Sequence, residues 1–264
     1  MELTSLALRT NLLFHRFDGR VLDRGHYLVV HSPRNPGYYY GNLLVMADPP
    51  RPGDAASWCE LFAREVGEPL GVDHVTLAWD GDDAGHTDEL VTAGFELEAN
   101  VTLACSEGQA ARAVPGLTMR PLAGDADWEL ASRLNAAVDP LRGSSEAYER
   151  FRARSRERTR GMTEAGLGHQ MGGFVDGQLV CQMGIFSDGE LARFRNVETH
   201  PEFRRRGICG SLVVECTRIA LTELGARTAV IVAEPQSQAE RVYRAAGFSD
   251  AGRELSALRP PRSG

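Results

Sequence analysis

Residues 196–213 read NVETHPEFRRRGICGSLV. A strand ends at His200-Pro201, a turn carries three arginines, and Gly207 opens a helix. That helix runs from about Ile208 to Leu224, with Leu212, Cys216, Ile219 and Leu224 on one face and Gly225 as its stop. TAVIVAE (228–234) follows as a short apolar strand of the buried kind, then a helix over 237–246 that ends at Gly247-Phe248. A strand feeding a helix that feeds a buried strand commits this part of the chain to a mixed α/β architecture. The upstream residues agree. LTMRPL (117–122) reads as a strand, and Asp127 caps a helix carrying Trp128, Ala131 and Leu134. GGFVDGQLVCQMGIF (172–186) reads as a hairpin, because Asp176-Gly177 is a preferred two-residue turn between apolar runs. ELARFRNVETH (190–200) is a further strand.

The first half echoes this order weakly. HYLVVHS and GNLLVMA are strand-like, and Asp54 starts a helix with Trp58, Leu61, Phe62 and Val66 inward, stopped by Gly67. VDHVTLAWD is an apolar strand, and DELVTAGF closes on the same Gly-Phe pair, Gly94-Phe95. Two readings stand: an internal duplication, or two α/β halves that look alike at this resolution. The small, polar stretch SEGQAARAVPG (106–116) is the best boundary. The expected division is residues 1–110 and 111–264, which a chain of 264 residues accommodates.

Charge follows the same division. Residues 1–116 hold 8 arginines against 17 acids; residues 117–264 hold 21 against 19. The net charge of −7 argues against general nucleic-acid binding. No apolar run approaches the roughly 18 residues a membrane helix needs, and the N-terminus lacks a signal-peptide pattern. A cytoplasmic protein without membrane or nucleic-acid partners is expected. The five cysteines are odd in number, without a CxxC pair, which fits a reduced compartment better than a disulfide framework or a zinc site. The seven histidines show no paired ligand spacing, so no metal is expected. All 29 basic residues are arginine, so no lysine can form a Schiff base.

A helix N-terminus presents unpaired N–H groups and a positive dipole end, and is a ready site for phosphate. Gly207 and Gly210 let the backbone approach an anion closely, and Arg204, Arg205 and Arg206 add charge. The same residues also describe an ordinary strand-turn-helix with a solvated basic turn.

The run Arg204-Arg205-Arg206-Gly207-Ile208-Cys209 resembles the R/Q-x-x-G-x-G/A signature of the GCN5-related N-acetyltransferases, the GNAT superfamily. Thr199-His200-Pro201 stands where members often have V-x-P. Ala239-x-x-x-Tyr243-x-x-x-Gly247-Phe248 is similar to the family's A-x-x-x-Y-x-x-x-G-F ending. The resemblance covers about residues 117–255. It implies two GNAT-like mixed-sheet domains in tandem, each a central sheet flanked by helices on both faces, the first degenerate. It implies acetyl-CoA as co-substrate and an amine of a small molecule or peptide as acceptor. The backbone of Val197, Glu198 and Thr199 pairs with pantetheine. The N–H groups from Arg205 to Gly210, with Ile208 and Cys209 between, hold the pyrophosphate. Gln236 reaches a pantetheine amide, and Tyr243 protonates the leaving thiolate. Cys209 departs from the signature's Gly or Ala, and Gln236 from the Asn of many members. The first half has PPRPGD without the Arg-x-x-Gly pattern, and Leu90 where the second has Tyr243. Its prolines remove N–H donors. The first half is therefore expected to support or cover the second without binding the cofactor.

The base is less defined. Stepping back by two from Val197 puts Arg195 and Arg193 on its face and Glu198 on the other. Guanidinium does not deprotonate in proteins, so Glu198 is the candidate carboxylate, as base or substrate contact. The alternative is that no side chain acts as base. Arg193 and Arg195 facing an acceptor channel favour a substrate with a carboxylate or phosphate; paired to nearby acids, they are structural. Arg150, Arg152, Arg154, Arg156, Arg158 and Arg160 spread around a helix as a solvated mixed-charge surface, or form an anion-attracting entrance. Tyr38, Tyr39 and Tyr40 are a candidate exposed aromatic cluster, and His200 a turn residue. An N-acetyltransferase, monomeric or homodimeric, is the leading reading. A non-catalytic acyl-CoA-binding protein on the same fold is the second.

Overall fold

The computed structural model describes residues 1–139, 141 and 143–261. They fall into two compact units. The first comprises Met1–Thr102, Arg150–Ser155 and the C-terminal residues from Ala251; the second comprises Leu103–Glu149 and Arg156–Asp250.

In the first unit, helix α1 (Leu6–Asp18) starts where the Ser5 hydroxyl accepts the Leu8 N–H at 3.4 Å. Strands β1 (Arg20–Asp23), β2 (Tyr27–His31) and β3 (Leu43–Met46) pair antiparallel in sequence. Helix α2 (Asp54–Phe62) continues as a π-helical turn over Ala63–Gly67 and a short α3 (Glu68–Leu70). The stop is thus Gly71, at φ 62°, and not Gly67. Strand β4 (Val75–Trp79) lies parallel to β3, followed by α4 (Asp88–Thr92) and β5 (Glu96–Cys105). Strand alternation sorts the core. Val29, Leu44 and Leu77 meet Trp58, Phe62 and Leu90 on one face; Leu28, Val30 and Val45 meet Leu8 and Leu12 of α1 on the other. The three tyrosines leave strand geometry. Tyr38 is buried and stacks on Phe151 with centroids 5.5 Å apart, and Tyr39 packs on His74 at 4.6 Å.

The second unit builds a sheet in the order β6 (Leu117–Pro121), β7 (Gly168–Val175), β8 (Gln178–Ser187), β9 (Leu191–Thr199), β10 (Thr228–Ala233). All pairs are antiparallel except β9 with β10. Asp176 and Gly177 join β7 to β8 with φ of 49° and 78°, the pair of positive values that the tight hairpin turn requires. Between β6 and β7 lie α5 (Gly124–Val138) and α6 (Glu146–Glu164). Asp127 sits inside the first turn of α5. Its carboxylate accepts the Ala123 N–H at 2.8 Å and pairs with Arg120, whose guanidinium holds its pKa down to about 2. Ala131 and Leu134 of α5 pack on Leu122, Phe174 and Leu179. The arginine-rich helix α6 is not uniformly solvated. Arg158 is buried, while Arg160 pairs with Asp125 at 2.7 Å and Glu164 at 2.8 Å. Helix α7 (Ile208–Thr222) follows β9, and α8 (Gln238–Ala245) follows β10.

The last strand, β11 (Ser249–Arg259), begins in the second unit and ends in the first. Leu255 to Arg259 run antiparallel to β4, from Leu255 opposite Trp79 to Arg259 opposite Val75. The chain therefore returns to complete the sheet it began with.

Candidate functional site

The site is built at the junction of β9 and α7. Thr199 ends the strand, and Pro201–Phe203 makes a 3-10 turn whose first free N–H, from Glu202, donates to His200 Nδ1 at 3.4 Å. Arg205 and Gly207 then take positive φ, 61° and 82°. Such values cost a side chain energy and cost glycine none, which accounts for Gly207 at the helix mouth. The first intrahelical bond of α7 runs from Ser211 N–H to Gly207 C=O at 3.0 Å. The N–H groups of Ile208, Cys209 and Gly210 precede it and lie at the positive end of the helix dipole.

These groups border a cavity of about 310 Å³. Val197 and Thr199 line it from β9, Arg204, Arg205 and Gly207 to Gly210 from the turn and first helical turn, and Val242 and Tyr243 from α8. The three arginines differ. Arg204 Nε donates to the Thr199 carbonyl at 3.1 Å, bracing the turn. Arg206 donates to the Glu202 carbonyl at 2.9 Å and stands over the Phe203 ring, 4.8 Å from its centroid. Arg204 and Arg205 line the cavity, and Arg206 does not. Gln236 is exposed in a left-handed turn outside the cavity; Gln238, two residues on, lines it instead.

Tyr243 is 4% exposed. Burial, helped by the nearby Cys209 and Cys181 thiols, pushes its phenol well above the ordinary range. The group stays protonated at any physiological pH, so its hydroxyl can donate a hydrogen bond. Cys181 Sγ lies 3.3 Å from Thr199 Oγ1, and hydrogen bonding from Cys181 and Thr199 draws the Cys209 thiol downward against its burial.

A second cavity, about 340 Å³, shares Gly207, Gly210 and Val242 with the first. Gln109 and Arg112 line it, both from the stretch read as a boundary from sequence. That stretch packs along α7: Ser211 Oγ donates to the Arg112 carbonyl at 2.8 Å.

On β9 the alternation expected from sequence does not hold. Arg195 faces Gly184 and Glu198 faces Gln182, so three steps on β9 match two on β8. The extra residue is a bulge, with Asn196 at φ 50°. It puts Glu198 on the same face as Arg193 and Arg195, and Val197 and Thr199 on the α7 face. On the α5 face, Glu198 Oε1 accepts from Asn135 Nδ2 and Oε2 from Gln182 Nε2, both at 2.6 Å. Gln182 Nε2 also reaches the Ala131 carbonyl at 3.1 Å, and Gln170 Nε2 donates to Gln182 Oε1 at 3.2 Å. Asn135, Gln170 and Gln182 are all buried. The sequence signal for them is polar residues at inward positions of otherwise apolar segments. The parallel register of β9 with β10 pairs Leu191–Arg193 with Thr228–Val230, so the main chain from Asn196 to Thr199 lies beyond it. Among the described residues, no group of three or more His, Cys, Asp or Glu is arranged to hold a metal ion. No helix among them is long and apolar enough to cross a membrane.

Residues 173–256 match the family model described as FR47-like protein. Solved structures resemble the chain over nearly its whole length. A GCN5-related N-acetyltransferase from Kribbella flavida superposes with a TM-score of 0.67 at 16% identity, covering 98% of this chain and 97% of its own. The fold is the GNAT fold. A functionally unknown conserved protein from Staphylococcus epidermidis gives a TM-score of 0.75 at 14% identity, with 93% and 95% covered. A GCN5-related N-acetyltransferase from Sphaerobacter thermophilus gives 0.60 at 16%, with 92% and 83% covered. No curated protein matches the sequence. The GNAT fold thus spans both units, while the family model falls on the half that carries the α7 mouth and Tyr243.

Proposed function

We propose that the chain is an acetyl-CoA-dependent N-acetyltransferase acting on an amine of a small molecule or peptide. One observation carries this reading: an uncapped helix mouth and a buried, protonated tyrosine line the same cavity. The N–H groups of Ile208, Cys209 and Gly210, with the Arg205 guanidinium, suit a diphosphate. The main chain of Val197, Glu198 and Thr199 pairs with pantetheine, a reading supported by its lying beyond the β9–β10 pairing. Tyr243, protonated and lining the same cavity, donates its proton to the departing thiolate.

The acceptor approaches from the α5 face. There Glu198, oriented by Asn135 and Gln182, takes the amine proton directly or through a water. Arg193 and Arg195 share that face and favour an acceptor carrying a carboxylate or phosphate. A reduced cytoplasmic protein, monomeric or dimeric, is in keeping with five free cysteines.

A second reading, acyl-CoA binding without turnover, is favoured by the same carboxylate, since both its oxygens already accept amide donors. Two measurements are needed, of which the second separates the readings. Calorimetry with acetyl-CoA gives binding under either. Release of free CoA across a panel of amines, with and without an anionic group, occurs only for the transferase. No binding of acetyl-CoA to the folded protein defeats both.

A further inference from the structure

The stretch 106–116, expected from sequence to be a boundary, is fastened to the second unit along its length. Ser106 Oγ lies 3.0 Å from Thr228 Oγ1 at the start of β10. The Gln109 side chain lies over Gly247, where a Cβ would come within 2.5 Å of its Nε2. The Arg112 carbonyl accepts the Ser211 hydroxyl, in the first turn of α7, at 2.8 Å. Val114 reaches Gly207, its Cγ2 3.6 Å from where a Cβ would stand. Under this strap lies the second cavity, about 340 Å³. Val214, Val242, Ala245 and Ala246 make its apolar wall, and Gln109 and Arg112 bring an amide and a cation to it. Arg112 is exposed, and among the described residues its guanidinium has no hydrogen-bond or ion-pair partner. Gly207, Gly210 and Val242 border both cavities. A Cβ at Gly210 would lie 3.8 Å from Val242 Cγ1, so a side chain there would narrow the rim that the two share.

We propose that this second cavity is a nucleotide site in which Arg112 binds the 3′-phosphate of coenzyme A, selecting coenzyme A thioesters over donors that lack that phosphate. The inference rests on the reading of the first cavity as an acyl-CoA site. Coenzyme A joins a thiol arm to an adenosine 3′-phosphate through a diphosphate. With the diphosphate at the α7 mouth and the arm beside Val197 and Tyr243, the adenosine crosses the rim of Gly207 and Gly210 into the second cavity. The parts match in chemistry. The apolar wall takes the face of a purine. The Gln109 amide offers both a donor and an acceptor to its edge. The Arg112 fork presents paired N–H donors to a phosphate. Each cavity alone is near the lower end of the roughly 300–1,000 Å³ of small-molecule sites, and a ligand with an end group on each side of the rim uses both. Two arginines thereby divide the work. Arg205 faces the diphosphate, which coenzyme A and its dephospho form share, and Arg112 faces the phosphate that distinguishes them.

The test is calorimetry on the unmutated chain, Arg112→Ala and Arg205→Ala, each with coenzyme A and with 3′-dephospho-coenzyme A. The unmutated chain should bind coenzyme A about tenfold more tightly than the dephospho form, the effect of one charge-assisted contact. Arg112→Ala should lose that preference: coenzyme A binds about tenfold more weakly, and the dephospho form stays within about twofold of its affinity for the unmutated chain. Arg205→Ala should weaken both ligands alike and keep the preference. Arg112→Lys, which keeps the charge and loses the fork, should recover part of it. Arg112 is exposed, so these variants should fold, and thermal melts establish it. Equal binding of the two ligands by the unmutated chain, or equal loss of both in Arg112→Ala, overturns the proposal and leaves the acyl-CoA reading intact. Adenosine 3′,5′-bisphosphate, which has the nucleotide and no thiol arm, probes the second cavity alone. It should bind, compete with coenzyme A, and weaken about tenfold in Arg112→Ala. No binding of the bisphosphate at millimolar concentration overturns the nucleotide site. Failure of both coenzymes to bind defeats the functional reading, and a bisphosphate that binds and depends on Arg112 then leaves the nucleotide site standing.

Discussion

Helices α2 and α7 both begin on a glycine in the left-handed region, Gly53 at φ 92° and Gly207 at φ 82°. Neither glycine can cap its helix with a side chain, and the two mouths solve this differently. At α2 the protein supplies its own anion. The Gly53 N–H donates to both oxygens of Glu89, at 2.9 and 3.0 Å, and the Asp54 carboxylate accepts the Arg51 N–H at 2.7 Å. At α7, among the described residues, no carboxylate lines the mouth; a cavity and Arg205 face it. The residues responsible are matched in position. Glu89 stands six residues before Phe95, and Val242 six before Phe248. Leu90 and Tyr243 come next in each. One backbone device is closed by the chain's own carboxylate in the first unit and opens on a cavity in the second, and the matched side chains are Glu89 and Val242.

Transplanting the Glu89 side chain is the strongest way to break the comparison. Val242→Glu places a carboxylate where Glu89 sits, and it should satisfy the α7 mouth from within. Losing one charge-assisted contact to the diphosphate costs about 3 kcal/mol, so acetyl-CoA affinity should fall about 100-fold or more, read by calorimetry. The melting temperature should hold or rise, because the new carboxylate meets the positive end of the dipole. Unchanged affinity would mean that the mouth does not hold the ligand.

The adjacent position sharpens the chemical half of the contrast. Tyr243→Phe keeps the ring and removes the proton, and Tyr243→Leu copies the first unit. Both should lower kcat about 100-fold, the lower range for a general acid, while Tyr243→Phe leaves KM for acetyl-CoA within about twofold. A rise in KM alongside the fall in kcat would make Tyr243 a packing residue.

Much of this contrast is legible in the amino-acid sequence itself. The Pro-Gly-Asp start of α2, without an Arg-x-x-Gly run, and Leu90 in place of a tyrosine both mark the first mouth as different. The Asp-Gly hairpin, the α7 stop and the buried β10 strand follow from local rules of turn chemistry and periodicity, which tertiary packing has no reason to override. Three features are not legible there, each for a physical reason. The bulge at Asn196 is a register shift between strands, invisible to counting by twos along one of them, and it moves Glu198 to the face of Arg193 and Arg195. The return of β11 beside β4 is a pairing between residues some 180 apart, 255 with 79, which periodicity cannot report. The Asn135–Glu198 hydrogen bond joins a helix to a strand through tertiary packing alone.

The arginines of the α7 turn give a smaller effect. Arg205 lines the cavity with its backbone in the left-handed region, whereas Arg206 is spent on the Glu202 carbonyl and the Phe203 face. Arg205→Ala should weaken acetyl-CoA binding about tenfold, or about 1.4 kcal/mol, and flatten its salt dependence. Arg206→Ala should change affinity less than about twofold. Equal losses in both variants would show a diffuse positive field in place of a positioned contact.

The reverse substitution in the first unit is the mildest and the most discriminating. Glu89→Ala removes the anion from the α2 mouth and leaves the Gly53 N–H to water. Because Glu89 is exposed, solvent takes over much of what it supplied, and the loss should be near the ordinary value for a helix cap, about 1 kcal/mol. In a chain of this length that is about 2–4 °C of melting temperature. The emptied mouth should not become an acetyl-CoA site. It would have the freed N–H, but Leu90, fully buried, stands where Tyr243 does in the second unit, and the turn before Gly53 carries one arginine, Arg51, in the Asp48 ion pair. Calorimetry on Glu89→Ala should therefore return one site per chain with unaltered affinity. A second site would mean that the helix mouth alone suffices for binding; loss of the first would mean that the two mouths are energetically coupled, and the comparison between them would have to be read as one site acting through the other.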